Sequence, residues 1–337
     1  MRPAALAVLG CPRCFGPLTT ESDAVASGNG RLSCKNDGTD FSIQSGIPQL
    51  IRPERLGRTE SFDRFYGRSK GRWNPTGSKL KRLRDLPYLP YLSPNGIVWR
   101  AKARTMEALM AFFASRPPKR VLDLGCGVGW LSSQLARRGY DTYAVDVVSA
   151  SPTGLLGAEL YFRNGVYFER IRGEIEFPPF QDRSFDAVIC NASIHYTNAL
   201  RESLLQVHRI LSEGGVFIMM NSPVHLDAGS ADLAQEDARL LMVRSGAPLE
   251  VASTYHHYSA GEVRDAFCGV FGALQEIPWS PGLDFRVLRR FKGMLLRMEL
   301  AGFPILWARK VAVKETSYRS RKVPNTKAPP SCSLKRP

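Results

Sequence analysis

The 337-residue chain is 44% hydrophobic and 23% charged, which allows a substantial buried core and excludes a chain too polar to fold on its own. Its 46 Lys and Arg against 31 Asp and Glu give a formal net charge of +15, so nucleic acid or an anionic membrane surface stands as a partner beside the plainer reading of a solubilising linker and tail. No uncharged apolar run approaches the roughly 20 residues of a membrane-crossing helix, and an integral membrane protein is not expected. The length is large for one ordinary domain and points to one medium domain with appendages, or to two domains.

The excess positive charge lies in the run Arg52 to Asp85 and in everything after about Phe285; the middle of the chain is near neutral. Cys11, Cys14, Cys34, Cys126, Cys190, Cys268 and Cys332 are scattered and do not read as a disulfide framework, so a reducing, cytoplasmic setting is the expectation. The opening MRPAALAVLGC has an apolar run too short for a secretory leader, and its cysteine opens a CxxC pair.

In LGCPRCFGPL, Cys11 and Cys14 form a knuckle that is the usual first half of a small zinc site. The second half, RLSCKNDGTDF, supplies Cys34 and then Asp37 where a second Cys-x-x-Cys would stand. A carboxylate can serve zinc as a ligand, and none of the five histidines lies in this region. KNDG is also a plain turn sequence, with Asn and Asp tolerating left-handed backbone before Gly38. Three readings stay open here: a ribbon holding zinc through Cys11, Cys14, Cys34 and Asp37, a ribbon without metal, and an unrelated fold.

Residues 55–98 read as a basic linker. From Trp99 the spacing of Ala103, Met106, Leu109, Met110 and Phe113 predicts a helix ending before Pro117. KRVLDLGCGVGW follows, with Val121, Leu122 and Leu124 as a short buried strand and Gly125, Gly127 and Gly129 directly after it. A helix through Leu135, a stop at Gly139 and a second strand ending at Asp146 complete a β-α-β unit. Beyond it AVICN predicts another strand, and ALRESLLQVHRILSEGGVFIMMN predicts a helix, a Gly214-Gly215 turn and a strand. GALQEIPWS and FPILWARKVAV predict a closing pair of strands, and residues 314–337 read as a polar, Pro-rich, disordered tail.

Two nucleotide-binding readings compete for the glycine turn. A dinucleotide turn wants a third glycine where Trp130 stands. The run instead reads D-x-G-x-G-x-G from Asp123, with Asp146 closing the next strand. In this it resembles the first motif of the class I S-adenosylmethionine (SAM)-dependent methyltransferases, type 11 or UbiE-like. The resemblance covers residues 99–313 and implies a Rossmann-like α/β fold with a seven-stranded sheet. It implies that Asp123, Gly125, Gly127, Gly129 and Asn191 border the cofactor and that Asp146 accepts the ribose hydroxyls. It also implies that Glu174 meets the adenine amine while Ile175 packs on the ring. CPRCFGPL and FSIQSGIPQLI resemble the small zinc-ribbon-like modules that precede some methyltransferases, which implies a separate domain over residues 1–54.

Methyl transfer to an acidic acceptor needs a base beside the methyl donor. His195 in NASIHY, just after the fourth strand, is the candidate, and His256 and His257 in TYHHYSAGEV are candidates for acceptor contact, ahead of a helix capped by Ser259 and Glu262. The Asn-Pro-Pro-aromatic motif of base-modifying relatives is absent, NASI standing in its place. The leading expectation is a cytoplasmic methyltransferase acting at oxygen or carbon of a small molecule. The alternatives are an RNA methyltransferase of the rRNA guanine type that grips RNA through the ribbon and basic arm, and a non-catalytic SAM-binding or partner-docking protein.

Overall fold

The computed structural model of the protein describes residues 1–20, 27–68, 83–93, 95–150, 153–197, 199–296 and 300–311. The central sheet has seven strands in the order β12-β13-β9-β8-β5-β6-β7. In chain order they are β5 (Arg120–Leu124), β6 (Asp141–Asp146), β7 (Glu169–Arg172), β8 (Phe185–Asn191), β9 (Leu211–Met220), β12 (Gln275–Ile277) and β13 (Ile305–Arg309), while β10 (Val224–His225) and β11 (Tyr258–Ser259) pair with each other in a sheet of their own. β5 to β9 run parallel, and β13 is antiparallel to both β9 and β12.

Parallel strands need covering on both faces, and the side chains alternate accordingly. Leu122, Leu124, Val145, Val188, Phe217 and Met219 enter one buried cluster. Val121, Ala144, Ala187, Ile189, Val216 and Ile218 enter the other. The helices Leu200–Ile210 and Ala260–Phe271 cover the first face, whereas Gly96–Ser115 and Trp130–Ala136 cover the second. The Ser259 hydroxyl accepts the Glu262 amide and the Glu262 carboxylate accepts the Ser259 amide, so the expected capping box is present. The seven-stranded fold and its closing antiparallel pair match expectation.

The chain leaves β5 for β6 and β7 on one side, then returns to place β8 on the other. The strand order therefore reverses between β5 and β8, and ligands of such sheets bind beyond the carboxyl ends of the strands at that point. Gly125 to Gly129 and Asn191 to Tyr196 both lie there.

The amino-terminal segment forms a four-stranded antiparallel sheet, β1 (Leu18–Thr20), β2 (Gly30–Cys34), β3 (Asp40–Gln44) and β4 (Ile47–Pro48). It is fused to the larger fold. Gln49 bridges Arg172 in parallel and the Leu50 amide donates to the Arg172 carbonyl at 2.9 Å, which extends the edge at β7. Leu9, Leu18, Leu32, Phe41 and Leu50 share one buried cluster with Tyr143, Ile171, Phe180 and Phe185.

The stretch read as a linker at 55–98 is structured where it is described. Leu56–Arg68 is a 13-residue helix, here α1. Its Phe62, Phe65 and Tyr66 pack with Val147, Tyr196, Val251 and Ala252. Helix α2 (Gly96–Ser115) starts ahead of the expected Trp99. Charge hid α1 because its aromatics are few, yet their i, i+3, i+4 spacing is helical. Residues 69–82 and the tail at 312–337 lie outside the described residues.

Candidate functional site

β5 ends at Leu124, and the chain turns through Gly125, Gly127 and Gly129 at φ of 80°, 56° and 78°. A Cβ on Gly125 would sit 2.3 Å from the Ser193 Cβ, and one on Gly129 would sit 2.6 Å from the Phe168 ring. Both positions therefore exclude side chains by dihedral and by space. Around Gly127 the nearest such contact is the Thr153 carbonyl at 3.8 Å, so this part of the turn has room above it. Asp146 holds the turn in shape: its carboxylate accepts the Gly127 amide at 2.7 Å and the Val148 amide at 2.8 Å. Burial pushes this carboxyl up to about 6.

Asp123 lies fully buried behind the turn and anchors the helix that follows. One oxygen accepts the Ser132 amide at 3.1 Å and its hydroxyl at 2.7 Å; the other has no partner. Burial pushes Asp123 up to about 7. Asn191 is tied into a second network, accepting from Asn221 at 2.8 Å, and Asn221 also donates to Thr105 at 3.0 Å. That network locks the ends of β8 and β9 together.

Glu174 stands two residues beyond β7 with its side chain 4% exposed. The Arg55 guanidinium donates to one carboxylate oxygen at 2.6 Å, and the other oxygen is buried without a partner. Ile175 reaches the glycine turn, its Cδ1 lying 3.4 Å from where a Gly125 Cβ would be. Glu174, Ile175 and the turn thus border one space. Helix α1 closes that space from above: Asp63 accepts the Ser149 and Ala150 amides at 3.0 Å and the Ser149 hydroxyl at 2.7 Å. Removing Arg55 would leave a buried carboxylate uncompensated. Arg55→Ala is expected to destabilise the fold by about 2–4 kcal/mol in urea unfolding, the upper figures being reduced because the guanidinium is partly solvated. An unchanged midpoint would mean the pair contributes nothing.

On the other side of the turn lies a cluster of rings. His195 is buried, its Nδ1 is 3.2 Å from the Ser222 hydroxyl, and it packs on Tyr196 and Tyr255 with centroids 4.6 and 4.8 Å away. Burial pulls the imidazole down to about 3, so it is neutral throughout the physiological range. The Tyr66 hydroxyl of α1 meets that of Tyr196 at 3.1 Å. The His256 amide donates to the His195 carbonyl at 2.6 Å, and His257 Nδ1 is 2.8 Å from His225 Nε2. All three predicted histidines therefore belong to one neighbourhood. Burial lowers His257 to about 4, with His225 adding to the effect.

Cys11, Cys14, Cys34 and Asp37 also come together, each offering one donor atom within 4.8 Å of the others. The Cys14 and Cys34 sulfurs are 3.4 Å apart, and the Cys11 sulfur is 3.8 Å from an Asp37 oxygen. Backbone amides of Arg13 and Asn36 point at the Cys11 and Cys34 sulfurs at 3.4 Å. Residues that sequence reasoning missed are Arg55, Asp63, Tyr66, Ser222, His225 and Tyr255. Ser222 and His225 could have been found from their place just past the carboxyl end of β9; the others depend on how distant segments dock.

Residues 122–219 match the family described as a methyltransferase domain. A malonyl-[acyl-carrier protein] O-methyltransferase of Erwinia billingiae is 32% identical over 109 residues, 32% of this chain and 41% of that protein. The mitochondrial arginine-hydroxylase NDUFAF5 of Mus musculus is 31% identical over 186 residues, 54% of this chain and 48% of that protein. A ribosomal RNA small subunit methyltransferase C of Alcanivorax borkumensis is 32% identical over 132 residues, 38% of this chain and 39% of that protein. The chain thus spans less than half the length of each of these relatives. Their names cover different acceptors and leave the acceptor of this chain undetermined. Residues 122–219 thus match a methyltransferase domain, and they lie within a seven-stranded Rossmann-like α/β sheet.

Proposed function

We propose that the protein transfers a methyl group from SAM to oxygen or carbon of a small-molecule acceptor. The cradle fits that cofactor. The glycine turn leaves room above Gly127, Asp146 lies at the strand end where a ribose diol would meet it, and Glu174 keeps a buried acceptor oxygen for an adenine amine. When bound, SAM supplies a methyl on a sulfonium that is already a good leaving group, so positioning carries much of the catalysis. Tyr66, Tyr196 and Tyr255 exclude water from the acceptor side, and His195 offers a neutral ring nitrogen to hydrogen-bond and orient an acceptor hydroxyl. His256 and His257 complete that wall.

The observation that carries the small-molecule reading is the closure of the site by α1. An RNA base would need an open mouth ringed by free cations. Arg55 is instead paired with Glu174 and Glu176, and Arg58 approaches Glu176 at 3.8 Å. The test is to incubate the protein with methyl-tritiated SAM and an extract of its own organism lacking the gene, then count each fraction. Label in the small-molecule or organic-soluble fraction supports the proposal. Label in RNA, or binding of SAM with no labelled product, overturns it.

We further propose that Cys11, Cys14, Cys34 and Asp37 hold a structural zinc. A tetrahedral site with Zn–S of about 2.3 Å places its sulfurs roughly 3.8 Å apart, close to the separations found, and the amides aimed at Cys11 and Cys34 favour thiolates. The purified full chain is expected to carry about one zinc by elemental analysis and to lose it, with a lowered melting temperature, in Cys11→Ser. A metal-free protein as stable as its Cys11→Ser variant would contradict this.

A further inference from the structure

Leu283–Leu296, the seventh α-helix longer than four residues among the described ones, is α7. Its inner side is fastened to the protein. Asp284 pairs with Arg100 at 3.5 Å, and Arg289 donates to the Ala301 carbonyl while lying 5.0 Å over the Phe303 ring. Its outer side is apolar and uncovered among the described residues: Leu283 is 73% exposed, Val287 59%, Leu288 44%, Phe291 66% and Met294 72%. Leu283, Val287, Phe291 and Met294 recur at i, i+4, i+8 and i+11, which makes one continuous stripe. Arg286 and Arg290 flank the stripe on one side, and both are exposed. The only acidic residue of the helix is the paired Asp284.

We propose that α7 docks the protein on an anionic lipid surface, with the stripe entering the headgroup boundary and Arg286 and Arg290 meeting lipid phosphates. A helix lying in the membrane plane needs this combination of a bulky apolar stripe and flanking cations. Charge complementarity selects the occupant. A second copy of the chain would bring Arg286 and Arg290 against the like charges of its own helix. A nucleic acid would place phosphates over five aliphatic or aromatic side chains that gain nothing from them. Docking here also has a consequence for the site. Arg289 of α7 holds the Ala301 carbonyl, and the next residue, Gly302, pairs with Val224 beside His225, so the helix borders the histidine cluster. An acceptor dissolved in the bilayer would meet the enzyme at that border.

The test is flotation of the full chain with vesicles of phosphatidylcholine alone and of phosphatidylcholine with about one third phosphatidylglycerol. Binding at least tenfold stronger to the anionic vesicles is expected, weakening as salt is raised. Val287→Asp with Phe291→Asp should remove it, again by about tenfold or more. Both side chains are exposed, so the melting temperature and the binding of S-adenosylhomocysteine should stay as in the parent. The proposal fails if anionic vesicles do not float the protein or if the double variant floats equally well. It fails equally if the double variant instead abolishes a concentration-dependent dimer or a gel shift on RNA.

Discussion

Asp146→Ala is expected to weaken binding of S-adenosylhomocysteine by at least 100-fold in a calorimetric titration at pH 7.5. The carboxylate is fixed by the amides of Gly127 and Val148, which leaves its remaining lone pairs directed by the backbone. A ribose diol binding there makes two hydrogen bonds to a charged acceptor. At about 1.5–3 kcal/mol each, these amount to two decades or more of affinity. Asp146→Asn separates this from folding, because the amide side chain has the same shape and can keep one of the two backbone contacts. If it binds as tightly as the parent, the diol does not sit on Asp146.

The same carboxyl gives pH effects of opposite sign on binding and on stability. Its folded pKa is raised by burial to about 6, from the ordinary carboxyl value of 3.8. Cofactor affinity should therefore be full above pH 7 and fall as the group takes up its proton below about 6. Stability of the unliganded protein moves the other way. A carboxyl with a raised folded pKa contributes stability below its unfolded value and loses it as pH rises through the folded one. Asp123, raised to about 7, acts in the same direction. Asp123→Asn should accordingly gain stability over the parent at pH 8 more than at pH 5, by an amount on the order of 1–4 kcal/mol in denaturant unfolding.

The second large effect is expected at His195. His195→Ala should lower kcat by about 10²-fold through loss of the group that orients the acceptor hydroxyl, while cofactor affinity changes by less than about threefold. A buried ring is lost in that variant, so His195→Gln serves as the partner: it preserves a hydrogen-bonding group and should recover part of kcat. With an imidazole pKa near 3, the pH dependence of kcat should show no inflection from this residue between pH 5 and 9. A break near 6.5 that disappears in His195→Gln would show that His195 titrates during turnover, and the neutral-ring account would be wrong.

The parts of this account that were legible in the sequence are those governed by local pattern. The alternation of Val121, Leu122 and Leu124, the spaced glycines and Asp146 are each fixed by what a short parallel strand and a close turn require. The capping box at Ser259 and Glu262 is likewise local. The four metal-site candidates lie together because the pairing of β1 with β2 sets the Cys11–Cys14 knuckle beside the Cys34–Asp37 turn, which spacing alone left open. What was not legible depends on docking between distant segments. Nothing near Arg55 indicates that it will meet Glu174, and nothing near Asp63 indicates that it will hold the amides of Ser149 and Ala150. The basic character of residues 55–68 drew attention to charge, whereas the structure uses Phe62, Phe65 and Tyr66 to close the site. Leu9, Leu18 and Phe41 complete a core shared with the main sheet, a docking that nothing local to residues 1–54 signals.

The most direct test of the central claim is a crystal structure of the full chain with S-adenosylhomocysteine. The account predicts the ribose on Asp146, the adenine beside Ile175 with its amine on the free oxygen of Glu174, and the sulfur facing the His195 side beneath α1. A ligand bound elsewhere, or a cradle that stays filled by protein side chains at saturating ligand, would contradict it.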